Sequence, residues 1–133
     1  MTRLTTQDIT VTVESLFQPQ YSEPDQDKYV FAYRIQITNE GAESVQLLSR
    51  YWRIVEGDGT TREVEGEGVI GKQPIIDPGR THRYVSWVQL GTPLGAMDGF
   101  YEFRRQWEEN PVDEERFQAT VPRFLHWAPE LNN

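Results

Sequence analysis

The stretch Tyr29-Val30-Phe31-Ala32-Tyr33-Arg34-Ile35-Gln36-Ile37-Thr38 decides the fold. Phe31, Tyr33, Ile35 and Ile37 alternate with Ala32, Arg34, Gln36 and Thr38, a period of two that buries one face of a strand and wets the other. Upstream, Ile9, Val11 and Val13 alternate with Thr10, Thr12 and Glu14 in the same way. Downstream, β-rich stretches at 44–55, 60–66, 82–90, 100–107 and 117–124 are each set off by a turn signal. These signals are Asn39-Glu40-Gly41, Gly57-Asp58-Gly59, Pro78-Gly79, Thr92-Pro93 and Asn110-Pro111, in which Gly supplies positive φ and Pro fixes negative φ. About seven short strands and no amphipathic helix predict an all-β, antiparallel sandwich or barrel, because each one-sided sheet needs another to cover it. Val11, Phe31, Tyr33, Ile35 and Trp52 are expected in the core.

The chain has 133 residues, enough for one domain spanning 1–133 with its core at about 9–124. Residues 18–28 read as a long polar connection. Thirteen Lys and Arg against twenty-one Asp and Glu leave a net charge of −8, which repels phosphate backbones and argues against nucleic acid as a partner. With no cysteine, disulfides, thiolate metal sites and thiol nucleophiles are excluded. The longest apolar run, Tyr29 to Tyr33, is far short of the roughly twenty residues of a membrane-spanning helix, and Met1 to Asp8 is too polar for a signal peptide. The expectation is a cytoplasmic protein without membrane insertion.

Gly66-Glu67-Gly68-Val69-Ile70-Gly71 is a formal G-x-G-x-x-G, a pattern that cradles pyrophosphate where a helix N-terminus follows. Here Gln73-Pro74 and Pro78-Gly79 follow instead, which leads into a turn and another strand. Glu63, Glu65 and Glu67 share one face of a strand, and like charges about 4 Å apart repel by roughly 1 kcal/mol even in water. The glycines therefore read first as a bend or bulge. Gly66, Gly68 and Gly71 as a phosphate site, with Arg62 or Lys72 as counter-charge, is the alternative.

The segment Gly66 to Pro74 resembles the signature of the ApaG family, and further blocks resemble it in the same order: Tyr29 to Tyr33, Val45 to Trp52, Pro78-Gly79, Thr92 to Gly95, Met97 and Gly99. Two features depart from the family pattern: Trp87 stands where relatives usually carry Gly after Tyr84-Val85-Ser86, and the acidic segment 104–115 is extended. The resemblance implies a fibronectin type III-like β-sandwich with no established catalytic activity and no cofactor. It also implies an interaction module, by analogy with such domains in eukaryotic F-box proteins and a DNA polymerase-interacting protein, and an association with cobalt and magnesium efflux or resistance. Gene proximity to a diadenosine tetraphosphate hydrolase adds a nucleotide theme. The reading is a non-enzymatic module with an unidentified protein partner, with a phosphate, nucleotide or pyrophosphate binder as the alternative. An exposed sandwich edge, able to pair with its own copy, adds the expectation of a homodimer.

Other chemistry finds little footing. His82 and His126 are the two imidazoles, at no metal-binding spacing, and Asp25 with Asp27 lacks the further oxygen ligands that magnesium or calcium needs, so no metal site is expected. Ser15, Ser22, Ser44, Ser49 and Ser86 sit in no G-x-S-x-G elbow. Glu108-Glu109 and Asp113-Glu114-Glu115 around Pro111 read as a hydrated turn. In Arg50-Tyr51-Trp52-Arg53, alternation separates the cations: Tyr51 and Arg53 share one face, while Arg50 joins Trp52 and Ile54 on the core side. A core-facing Arg should pair with a buried carboxylate or carbonyl. Any aromatic left exposed, from four Trp, six Tyr and six Phe, would mark a partner surface.

Overall fold

A computed structural model describes residues 1–105 and 115–129. Nine strands run through them: β1 (Thr2–Thr6), β2 (Ile9–Phe17), β3 (Tyr29–Asn39), β4 (Val45–Glu56), β5 (Thr61–Glu67), β6 (Ile75–Ile76), β7 (Thr81–Leu90), β8 (Leu94–Arg105) and β9 (Glu115–Trp127). All pairings are antiparallel. One sheet has the order β1-β2-β3-β7; the other has β5-β4-β8-β9, with β6 laid against the start of β4. Among the described residues there is no α-helix, and the 18–28 connection holds two single turns of 3-10 helix, Pro19–Tyr21 and Pro24–Gln26.

The expected antiparallel sandwich is present, with two strands more than the periodicity announces. β1 is threonine-rich and carries a single large apolar side chain, Leu4, so its alternation is nearly silent. It joins β2 through Gln7 and Asp8, both at positive φ (47° and 66°), the backbone of a type I′ hairpin without its usual Asn-Gly signature. β6 has only two residues. β8 begins at Leu94, ahead of the expected 100, because Gly95 and Gly99 look like breakers yet pair in register with Glu56 and Trp52 of β4.

The core fills the space between the sheets. Val11, Phe31, Tyr33, Ile35 and Trp52 are all buried as expected, with Tyr101, Phe103 and Phe124 closing over them from the second sheet. Each such side chain removed from water contributes roughly 1.5–3 kcal/mol. A register shift between Leu47 and Ser49 decides which side of β4 points inward. Before it Val45 and Leu47 are buried; after it Trp52 and Ile54 are, and Arg50 turns inward with them.

The two flanks of the sandwich close differently. On one, β9 packs on β1 and β2. Thr120 N donates to Thr6 Oγ1 at 3.4 Å, and Arg105 Nη2 to the Gln7 carbonyl at 3.3 Å. On the other, the edge strands β5 and β7 almost fail to touch. Arg62 Nη2 crosses between them to the Gln89 carbonyl at 2.6 Å.

Candidate binding site

The glycine segment is a hairpin. Val69 and Lys72 exchange backbone bonds, Val69 N to Lys72 O at 2.8 Å and Lys72 N to Val69 O at 3.0 Å. Between them Ile70 and Gly71 both take positive φ, 49° and 72°, which is again a two-residue type I′ turn. Gly68, at φ 63°, extends the β5 ladder by donating to the Leu48 carbonyl at 2.8 Å, and a Cβ there would run into the Lys72 carbonyl. The amides of Gly68, Val69 and Lys72 thus point at protein carbonyls. No helix follows.

Gly66 has a different task. It lies inside β5 opposite Arg50, and a Cβ built on it would stand 2.6 Å from Arg50 Nη1. The missing side chain is the space in which the guanidinium rests. Arg50 Nη1 donates to the Gly68 carbonyl at 3.0 Å and the Glu67 carbonyl at 3.3 Å, so its expected partner is carbonyl oxygen. Among the described residues no carboxylate forms an ion pair with Arg50. Two of the three glycines singled out in the sequence therefore serve this arginine: Gly66 clears its path and Gly68 supplies a carbonyl. Gly71 makes the turn.

Arg50 faces a cleft of about 490 Å³ on the open flank between β5 and β7. Ile54, Val64, Val88 and Met97 give it apolar walls, Tyr33 and Ser86 hydroxyls, and Trp87 and Arg62 part of its rim. Burial pushes the Tyr33 phenol up, against its bond to Ser86 and the charge of Arg50. Tyr84 and Tyr101 share a hydrogen bond behind it, and burial holds both well above the ordinary range, with the Arg50 charge again acting in opposition. Three tyrosine hydroxyls that stay neutral at physiological pH thus lie within reach of the Arg50 charge. Arg62 already has a carboxylate, Glu56, at 3.8 Å.

Beside the cleft stands one of the exposed aromatics, Trp87. Trp87 is 52% exposed and meets Tyr21 edge-on at 5.4 Å between ring centres, over a second hollow bordered by Lys28 and Val30. Trp87, Val88 and Gln89 line both hollows, so the β7 edge links them. Trp127, 64% exposed, lies on β9 at the closed flank.

The remaining candidates lie elsewhere. Glu63 and Glu65 occupy the outer face of the second sheet, where Glu63 bonds Tyr51, a contact that raises the tyrosine pKa more than its slight burial does. Tyr51 stacks on Phe100 at 5.0 Å, and Arg53 pairs with Asp98 at 3.6 Å, so the Arg50 and Arg53 charges do separate to opposite faces. His126 is a core residue: Nδ1 bonds Ser15 Oγ at 2.6 Å, Nε2 faces Met97 Sδ at 2.9 Å, and burial lowers its pKa to about 4. His82 is the second residue of β7, its pKa lowered by burial and then by the Lys72 charge. Asp25 and Asp27 sit in and just after the second 3-10 turn, and among the described residues no three His, Asp or Glu side chains form a group able to hold a metal. The acidic residues 108–114 lie outside the described residues.

Sequence reasoning found Arg50 through its parity, but not the cleft. Which strands become edges depends on the sheet order, and no local pattern carries it. The one local hint was Trp87, in phase with Arg83, Val85 and Gln89 on the outward side of β7.

Comparison with known proteins converges on one family. The sequence profile of the ApaG domain matches residues 19–105. Protein ApaG of Methylorubrum populi is 44% identical over 131 residues, covering 98% of this chain and 96% of its own length. Protein ApaG of Pectobacterium carotovorum is 43% identical over 119 residues, 89% of this chain and 95% of the relative. Among solved structures, the ApaA protein of Bordetella pertussis superposes with a TM-score of 0.84 at 38% identity, covering 92% of this chain and 94% of that one.

Proposed function

The chain belongs to the ApaG family, and on that premise we propose that it is a non-enzymatic binding module that engages a protein partner through the open flank between β5 and β7. One observation carries the reading: an arginine that has no carboxylate partner among the described residues and an exposed Trp87 share a single cleft, on the flank between the edge strands β5 and β7. Edge strands with free backbone groups accept an added strand, and exposed aromatics with Arg are the residue types that dominate interface energies. The family's association with cobalt and magnesium efflux fits a module that acts through such contacts in the cytoplasm, with no metal bound directly. The same edge could take a second copy of the chain, giving the expected homodimer.

Phosphate or nucleotide held by Gly66, Gly68 and Gly71 ranks second. Three amides of that hairpin already donate to carbonyls, and Glu63 and Glu65 crowd the outer face of the strand leading into it. The test is affinity capture from cytosol with the intact protein, Trp87→Ala and Trp127→Ala. The expected result is a partner lost with Trp87→Ala and kept with Trp127→Ala. Loss from both or from neither contradicts the assignment to the open flank.

A further inference from the structure

Building on this binding-module reading, we propose that the cleft between β5 and β7 takes a carboxylate, presented by an extended acidic segment of the protein partner, on the guanidinium of Arg50. The cost of placing Arg50 there is the argument. The register shift in β4 turns it inward, Gly66 gives up its side chain to make room, and the Glu67 and Gly68 carbonyls fix its orientation. Both of those bonds use Nη1. Among the described residues nothing accepts from Nε or Nη2. A partly buried charge that is fixed by two carbonyls and that, among the described residues, no acid meets in an ion pair is half of a pair whose other half comes from outside.

The free edge of one guanidinium presents two parallel N–H donors, the match for the two oxygens of a carboxylate. One guanidinium neutralises a carboxylate but leaves a phosphate dianion with excess charge, and Arg62, the next cation, is held by Glu56 and the Gln89 carbonyl. The apolar walls of Ile54, Val64 and Met97 suit the aliphatic stem of a glutamate rather than a sugar or base. Charge points the same way: in a chain of net charge −8, β7 carries no acidic residue, and Arg80 and Arg83 flank its start. An acidic strand laid along β7 therefore meets positive charge, and its inward glutamate reaches Arg50. The family's glycine signature then serves an anion indirectly, by holding the arginine that binds it.

The test is titration of the 15N-labelled full chain with three probes: an acetylated, amidated Val-Glu-Val-Thr-Val peptide, its Gln counterpart, and inorganic phosphate. The expected result is a saturable shift of the Arg50 Nε–H and Ser86 amide signals with the Glu peptide, at least tenfold weaker with the Gln peptide and with phosphate. Arg50→Gln should abolish it. Because that variant can fail to fold, Ser86→Ala, which keeps the arginine, is the second arm, with a several-fold loss expected. Equal response to the Glu and Gln peptides, no saturable shift at millimolar concentration, or tighter binding of phosphate would overturn the carboxylate assignment. Partner capture that still depends on Trp87 but is not competed by the Glu peptide would also overturn it, leaving the open-flank reading standing.

Discussion

The two flanks of this sandwich are made from similar strands and do opposite things. At the closed flank, β9 lies across β1 and β2, and the side chains facing inward from it are Phe117, Ala119, Val121, Phe124 and one neutral histidine. At the open flank, the inner faces of β4, β5 and β7 carry Arg50, Arg62, Tyr84 and Ser86 among their apolar residues, and the sheets part into a cleft. A polar group that faces the interior needs a hydrogen-bond partner, which the closed flank gives His126 within the protein and an open cleft leaves to water or a ligand, so composition and geometry change together. The contrast separates a flank packed shut by apolar side chains from one that opens into a cleft.

The comparison predicts effects of graded size. Phe103 is fully buried and stacks on Phe117 at 5.6 Å on the closed side. Phe103→Ala should cost about 3–5 kcal/mol in urea unfolding, since it leaves a cavity between packed sheets; a loss below 1 kcal/mol would break the claim that stability resides there.

His126 supplies the next effect, through pH. Its pKa is about 4 in the folded chain against an ordinary 6.5, so the unfolded state takes up the proton first as pH falls. The contribution is complete above pH 6.5 and is lost between 6.5 and 4, up to about 3 kcal/mol. Unfolding curves across that window should fall less steeply for His126→Gln than for the parent, although the variant begins less stable at pH 7.

Gly68→Ala should cost about 1–3 kcal/mol, from positive φ and the collision with the Lys72 carbonyl. It should loosen the seat of Arg50, which the Arg50 side-chain signal reports. Gly71→Ala, with open space around its would-be Cβ, should cost less. Smallest of all, Trp87→Ala should change stability by no more than about 0.5 kcal/mol while removing the partner. A large stability loss there would make Trp87 part of the fold's support and erase the contrast between the flanks.

Most of the closed half was legible in the sequence and little of the open half was. Period-two alternation is a local signal, and it identified the core strands because Val, Ile and Phe must recur on one face wherever a sheet is covered. It missed β1, whose inward positions hold Thr2 and Thr6 beside a partly exposed Leu4, and β6, which is too short to show a period. Arg50 was placed correctly by the same alternation, as an exception that called for a carbonyl or carboxylate. The glycines were read as a bend rather than a helix-capped phosphate loop because Pro74 and Pro78 follow. Gly66 escaped that reading, since its role depends on the residue across the ladder. The cleft was invisible because edge strands are fixed by sheet order, a property of the whole chain.

The most direct test of the account is site-specific photocrosslinking in cytosol, with the reactive group at position 87 on the open flank or at position 125, where Leu125 is 61% exposed on β9. The account predicts a discrete crosslinked partner from position 87, reduced by excess acidic peptide, and none from position 125. Crosslinking of the same partner from position 125 alone, or equally from both, would contradict it.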